Sequence, residues 1–257
     1  MPLVDELVAA LTDESQQLDH VVCGLDDAGW QRATPSPGWT IAVQVGHLAW
    51  TDRMAVQAAV DPEAFAARTG IPDVDAAARE AAAGPPAQVL SDWRQSREEL
   101  ARALTGLPAG TRLPWYGPPM SPVSMATARL METWAHGVDV TDALGLPTSA
   151  TDRLRHVAHL GVRTRDFAHR QHGLPVPGEE FRVELTGPDG APWAWGPADA
   201  AQRVTGPALD FCLLVTQRRH RADLALHATG PDADRWLDVA QAFAGPPGSG
   251  RTPGVRE

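Results

Sequence analysis

The spacing of apolar residues along this chain changes near Pro177, and the change limits the folds that the chain can adopt. Before that point, apolar residues recur every three or four positions in several long segments, which is the spacing of amphipathic helices. After it, FRVELTG alternates as a strand does, PDG marks a turn, and APWAWG alternates again. Helices followed by a region of mixed strands and helices predict the α+β fold class.

Long helices dominate the first part of the chain. Thr40 is suited to cap one of them, and Gly145 with Pro147 closes another. Such helices with irregular connections predict a four-helix bundle, a fold that builds metal sites from facing helices. The four helices are expected at residues 3–25, from Thr40 to about Val60, at about Ala87 to Leu104, and at about Val123 to Leu144.

The predicted domains follow from these patterns. Past the bundle, a long helix is expected at 151–172, and beyond the two strands a buried helix at 206–218, a strand in LALHATG and a final helix in DADRWLDVAQAFAG. The four predicted regions are a metal-binding bundle (1–147), a connecting helix (148–177), a small α+β domain (178–246) and a disordered tail rich in Gly and Pro (247–257).

Three side chains in two of the predicted helices could bind a metal. Glu132 and His136 are four residues apart in METWAHGVDV, so a helix places them on one face. His47 lies on an apolar stripe, where a lone histidine is usually a satisfied core residue; Glu132 and His136 could equally form a surface ion pair. Asp139 is either a partner for an imidazole N–H or solvated. Asp52 lies off the His47 face, which indicates an ordinary helix charge.

Composition excludes several classes of function. The 257 residues carry a net charge of −10, and all 22 basic residues are arginine. Lysine-dependent Schiff-base and Walker chemistry is therefore excluded, and no nucleic-acid role is expected. Cys23 and Cys212 are expected to be free thiols. Without a signal peptide or a membrane span, the protein is expected to be cytoplasmic, as a monomer or homodimer, with no membrane partner.

PSPGWT, the helix that carries His47, and METWAHGVDV together resemble the mycothiol-dependent maleylpyruvate isomerase family. The resemblance implies a DinB-like metal-binding four-helix bundle, and residues 178–245 resemble the sterol-carrier-like domain of the family. It also implies that His47, Glu132 and His136 bind zinc or another divalent metal, with the low-molecular-weight thiol mycothiol as co-substrate. A set of two histidines and one glutamate leaves a fourth position open for a thiol.

Further residues are candidates for binding or catalysis. By resemblance, Arg218 in CLLVTQRRH is the best match to a catalytic arginine that could grip a carboxylate, and Arg219 is the next, although Thr216-Gln217 replaces the aromatic-glycine step of the family. Trp115 and Tyr116 are expected to wall a pocket for substrate or cofactor, or to pack within their loop. Arg97 is either a ligand for an anionic co-substrate or a side chain that lies along the surface.

These residues predict an enzyme that acts on a small-molecule substrate. The leading hypothesis is mycothiol-dependent S-transfer to an electrophile, or cis–trans isomerisation through reversible thiol addition. One alternative is a metal-dependent hydrolase or lyase that needs no thiol. The other is a non-catalytic small-molecule-binding protein in which the metal is structural.

Overall fold

The computed structural model describes residues 3–68, 70, 72–108, 110–248 and 250–254. The chain divides into two compact units between Thr148 and Ser149. The first unit is helical and the second combines helices with a sheet, so the predicted α+β class is confirmed. Within the described residues, no helix combines the length and the low polarity that a membrane crossing requires.

All four predicted long helices are present in the first unit, and shorter helices fill the connections between them. Ser121 caps the last long helix, because its Oγ accepts from the Ser124 N–H at 3.1 Å. Gly145 ends the same helix with φ +67°, a left-handed conformation that glycine adopts readily. The bounds are α1 Leu3–Val22, α2 Asp27–Trp30, α3 Ile41–Val60, α4 Pro62–Ala66, α5 Val74–Ala81, α6 Pro86–Thr105 and α7 Pro122–Leu144.

Helix α3 is the central element of this unit. As the sequence predicts, Thr40 caps it by accepting from the Val43 N–H at 3.4 Å. Fourteen of its 20 residues are buried, so it has neighbours on nearly every side. At Gly46 an added Cβ would lie 2.9 Å from the Ala78 carbonyl oxygen, which is how closely α5 approaches α3. This residue precedes His47, so the close approach falls beside the candidate metal ligand.

The second unit contains a four-stranded sheet in the order β2-β1-β3-β4. Strands β1 and β3 are parallel, with Val183 opposite Val204, and the other two pairings are antiparallel. Phe181 and Phe211 each meet Trp236 edge to face, with ring centroids 5.7 Å apart, which joins the sheet to its helices. The bounds are α8 Leu154–Arg163, α9 Arg165–Gln171, β1 Phe181–Thr186, β2 Pro192–Trp195, β3 Gln202–Pro207, α10 Ala208–Val215, β4 His227–Thr229 and α11 Pro231–Val239, with a 3-10 turn at Arg221–Asp223.

The structure differs from the prediction in several details of this unit. The helix predicted at 151–172 is two helices, because Thr164 breaks it and its Oγ1 donates to the carbonyls of Leu160 and Gly161. The helix predicted at 206–218 begins at Ala208, after a strand, and the strand predicted in LALHATG is limited to three residues. In the predicted tail, Gly254 N–H donates to the Asp223 carboxylate; residues 249 and 255–257 lie outside the described residues.

Candidate metal centre

The site lies between α3 and α7, which run in opposite directions. Gln44 near the start of α3 contacts His136 in the later part of α7, and Asp52 further along α3 contacts Arg129 earlier in α7. His47 and Glu132 meet between these two contacts. The antiparallel arrangement therefore brings together the three residues that the sequence proposes as ligands.

The three candidate ligand groups converge on a single point. His47 Nε2 lies 3.3 Å from Glu132 Oε2, and His136 Nε2 lies 3.1 Å from the same oxygen. All three ligand atoms lie within 4.8 Å of one another. The two imidazole side chains are 8% and 11% exposed, and that of Glu132 is 25% exposed. The cluster is thus nearly buried but reachable from one side.

Glu132 stays ionised at this position. Burial alone would raise its pKa, but the imidazoles of His136 and His47 beside it outweigh burial and hold the pKa well below its ordinary value. An anionic oxygen beside two imidazoles is a donor set that binds divalent ions of the zinc type.

The spacing of the donors fits such an ion. With metal–ligand bonds of about 2.0 to 2.2 Å, neighbouring ligand atoms around a tetrahedral ion are about 3.3 to 3.6 Å apart. Of the two observed separations to Glu132 Oε2, 3.3 Å lies at the short end of that range and 3.1 Å lies slightly below it. Three protein ligands would leave a fourth coordination position for a substrate or thiol.

Trp39, the tryptophan of PSPGWT, packs directly on both imidazoles. Its ring centroid lies 5.3 Å from that of His47 and 5.7 Å from that of His136, and it stacks on the latter. The turn that carries it is closed by Thr34 N–H, which donates to the Trp39 carbonyl at 2.8 Å, and by Gly38 at φ +75°. In the sequence this motif served only to identify the family. In the structure its tryptophan contacts both candidate metal-binding histidines.

An aromatic cluster continues along α3 from the imidazoles. Trp115 stacks on Phe65 with centroids 5.6 Å apart, and Tyr116 meets Phe65 at 5.1 Å. Trp50 packs against this cluster, and its ring centroid lies 6.1 Å from that of His47. Burial raises the pKa of Tyr116. Trp115 and Tyr116 therefore pack within their own unit as loop residues do, and Trp50 connects their cluster to His47.

Arg97, the first of the arginine candidates, is held by groups of α1 and by Trp93. Arg97 donates to Asp19 at 2.7 Å and to the Ser15 carbonyl at 2.9 Å, and its guanidinium lies over the Trp93 ring. This arrangement resembles the alternative in which Arg97 lies along the surface and packs on apolar groups. The role of Arg97 as a ligand for an anionic co-substrate stays a prediction.

Arg218 lies in the second unit, directly after α10. It donates to the Thr216 carbonyl at 2.6 Å. The preceding Gln217 has φ +58°, in the left-handed region that favours glycine. The role of Arg218 as a catalytic arginine stays a prediction.

A buried ion pair between the same two helices was missed by sequence reasoning. The interpretation of Asp52 as an ordinary helix charge is wrong, because the residue is 2% exposed and accepts from Arg129 Nε at 2.8 Å. Burial raises the pKa of Asp52, and Arg129 opposes that rise. In the sequence each of these two residues resembles an ordinary charged residue on a helix surface. Their pairing becomes visible only when the two helices are packed together.

Fold and site together define an α+β protein whose helical unit carries a cluster of two histidines and one glutamate suited to a divalent metal. A family model described as the mycothiol maleylpyruvate isomerase N-terminal domain matches residues 11–141. The chain belongs to this family, as the sequence motifs predict. A second family model, described as wyosine base formation, matches residues 177–229.

Similar proteins cover nearly the whole chain. Two uncharacterized proteins of Mycobacterium tuberculosis, from strains CDC 1551 and H37Rv, are each 57% identical over 250 residues, which is 95% of this chain and 97% of theirs. The crystal structure of a mycothiol-dependent maleylpyruvate isomerase matches with a TM-score of 0.63, 16% identity and coverage of 90% of this chain and 96% of that one. The crystal structure of a histidine-to-alanine mutant of a mycothiol-dependent maleylpyruvate isomerase matches with a TM-score of 0.61, 16% identity and coverage of 85% of this chain and 90% of that one. At this identity the match demonstrates a shared fold.

Proposed function

We propose that this protein is a divalent-metal-dependent enzyme that uses mycothiol, or a similar low-molecular-weight thiol, to act on an electrophilic small molecule. The observation that carries the proposal is the convergence of His47, Glu132 and His136 on one point between α3 and α7. Membership in the mycothiol maleylpyruvate isomerase family supports the choice of thiol. The reaction is S-transfer, or cis–trans isomerisation through reversible thiol addition.

Each residue at the centre has a separate proposed role. When bound, zinc or a similar ion lowers the pKa of a thiol and polarises a carbonyl group. Glu132 supplies negative charge, since its pKa lies well below the ordinary value. Trp39 covers the two imidazoles and limits the access of water to them.

The substrate is expected to lie against aromatic side chains. Trp50 packs between His47 and the cluster of Phe65, Trp115 and Tyr116, so an apolar surface begins beside the candidate ligands. Pockets for small molecules are mostly apolar with a few polar groups that fix orientation. Arg218 is kept as the proposed partner of a substrate carboxylate, because guanidinium groups bind carboxylates bidentately.

The first test is metal content followed by thiol binding. Purified wild type is expected to hold about one zinc per chain, and Glu132→Ala and His136→Ala are expected to lose it. His20→Ala is the matched control, because His20 is exposed and its imidazole bonds within its own helix to the Gln16 carbonyl. Titration calorimetry should then give mycothiol binding by the zinc-loaded protein and none by the metal-free protein.

Two outcomes would contradict the proposal. If wild type holds no metal after reconstitution, the three residues are packed core groups and the enzymatic role is lost with them. If the protein holds zinc but binds no mycothiol, the thiol-dependent reaction is wrong, and metal-dependent hydrolysis or a structural metal takes its place.

A further inference from the structure

The two imidazoles at the candidate metal centre differ in what lies behind them. His47 Nδ1 is buried and has no hydrogen-bond partner in the described part of the chain. His136 Nδ1, by contrast, lies in hydrogen-bond contact with Gln44 Oε1. Gln44 is fully buried, at 0% exposure. A buried amide facing a metal-competent histidine is a placement that affects which imidazole nitrogen carries the proton.

The orientation of the Gln44 amide is fixed by two acceptors on its other side. Gln44 Nε2 lies 3.4 Å from Asp139 Oδ2, and a carboxylate oxygen can only accept. Gln44 Nε2 also lies 2.8 Å from Thr34 Oγ1, whose own proton goes to the Trp39 carbonyl at 3.0 Å. Both contacts require the amide nitrogen on that side, which leaves Oε1 facing His136.

This orientation determines the tautomer of His136. Because Gln44 Oε1 can only accept, His136 Nδ1 must carry the proton. The neutral imidazole then has a bare lone pair at Nε2, the atom that lies 3.1 Å from Glu132 Oε2 in the cluster. With the opposite tautomer, the proton would sit on Nε2 and occupy the lone pair that a metal needs.

We propose that Gln44 is a positioning residue that holds His136 in its metal-binding tautomer, with Asp139 setting the direction of the Gln44 amide. The proposal rests on the metal centre of the proposed function and extends it to a chain of contacts across α3 and α7. Ser36, from the turn that carries Trp39, donates to the same Asp139 oxygen at 3.0 Å. The PSPGWT turn therefore contacts the two imidazoles through Trp39 and the Asp139 carboxylate through Ser36.

The sharpest test changes the direction of the amide without changing its size. In Asp139→Asn the new side chain can donate, and the Thr34 hydroxyl can rotate to donate as well, so the Gln44 amide can turn and present its nitrogen to His136. The tautomer with the proton on Nε2 then competes with metal binding. We expect the zinc dissociation constant, measured by chelator competition, to rise about 10- to 100-fold, as it does when other partners of metal-bound histidines are removed. Gln44→Leu should weaken zinc binding by a similar factor.

A compensating change provides the positive arm of the test. In Asp139→Asn/Gln44→Glu, the introduced carboxylate can only accept, so His136 Nδ1 must again donate, while the introduced amide donates to that carboxylate from the other side. We expect zinc affinity within about threefold of wild type, compared with the 10- to 100-fold loss in the single variant. A purely structural role of this buried cluster would give no such recovery. Gln95→Leu, at an exposed glutamine on α6 that pairs with Glu99, is the control.

The outcomes separate this inference from the proposed function. If wild type binds zinc and Asp139→Asn binds it equally well, or if the double variant is no better than the single one, the positioning role is wrong while the metal centre stands. If wild type binds no zinc, the metal centre is wrong and the inference is overturned with it. Urea unfolding of each variant identifies any loss of affinity that follows from a failure to fold.

Discussion

Helix α3 packs on two neighbours through surfaces of opposite chemistry. Toward α6 it presents Val45, Leu48 and Ala49, which join one apolar cluster with side chains of α6; we call this the apolar seam. Toward α7 it presents Gln44, His47 and Asp52, which meet charged and polar groups; we call this the polar seam. The α6 members of the apolar seam are Val89, Leu90 and Trp93, and the α7 members of the polar seam are Arg129, Glu132, His136 and Asp139.

The two seams contribute different things to the fold. Burial of apolar surface is favourable in proportion to area and has little directional preference, so the apolar seam tolerates small shifts. Hydrogen bonds and ion pairs require defined distances and angles. A slip of one helical turn, about 5.4 Å, would break every contact of the polar seam at once. We infer that the apolar seam supplies stability and the polar seam fixes the register that brings the candidate ligands together.

The largest effect is expected from breaking the ion pair of the polar seam. Asp52→Ala leaves Arg129 as a buried charge without its acid, and the free energy of unfolding should fall by about 3 to 5 kcal/mol. Urea denaturation measures it. The control is Arg79→Ala, which removes an ion pair with Asp75 whose side chains are about half exposed; the expected loss there is about 0.5 kcal/mol or less.

Replacing both partners of the pair tests the register directly. Asp52→Leu/Arg129→Met removes the charges together, so much of the stability should return. If the seam fixes register, zinc affinity should still fall by about tenfold, a size typical for lost support of metal ligands. A double variant that regains stability and also keeps full zinc affinity would contradict the assignment of register to the polar seam.

The apolar seam should respond in the opposite pattern. Leu48 is fully buried, and Leu48→Ala should lower the free energy of unfolding by about 2 to 5 kcal/mol through lost burial and the cavity left behind. Zinc content and affinity should stay close to wild type, because none of the ligand contacts changes. Leu3→Ala, at a leucine that is 54% exposed, is the matched control with little expected loss. Loss of zinc binding in folded Leu48→Ala would mean that the seams are not separable.

The sequence predicted the helices because their signals are local. Apolar periodicity, the Thr40 cap and the Gly145 end act within one element, and so does the four-residue spacing of Glu132 and His136. His47 was grouped with them from its place on an apolar stripe and from the family resemblance, since nothing in the sequence states which helix faces which. The break at Thr164 was missed, because a threonine that bonds to its preceding carbonyls is also common within helices.

The rest of the polar seam could not be predicted for a physical reason. Asp52 and Arg129 are 77 positions apart, and Gln44 and His136 are 92 positions apart, so each pair exists only after the helices pack. Asp139 was left open between a partner of an imidazole and a solvated group, and the structure buries it against Gln44. The partners of buried polar residues are set by tertiary contacts, whereas the spacing of apolar residues alone predicts which side of a helix is buried.

The smallest effect concerns a second ion pair, which joins α1 to α6 and lies outside both seams. Hydrogen bonding from Arg94 lowers the pKa of Asp19, and the charges of Arg97 and Arg94 add to this against the effect of burial. A carboxyl whose pKa is lowered by folding contributes stability above its unfolded pKa, about 3.9, and loses that contribution as the pH falls through the folded value. Because Arg94 is 45% exposed, we expect Asp19→Asn to cost only about 1 kcal/mol at pH 7.

The pH dependence of that difference separates this pair from the polar seam. The gap in unfolding free energy between wild type and Asp19→Asn should be constant above about pH 5 and should shrink as the pH falls below about 3.9. Urea unfolding at a series of pH values measures it. Zinc affinity at neutral pH should be unchanged, since the Asp19 carboxylate bonds to the arginines of α6 and belongs to neither seam. A gap that grows on acidification would mean that folding raises the pKa of Asp19. An altered zinc affinity would mean that contacts outside the polar seam also fix the register of the helices.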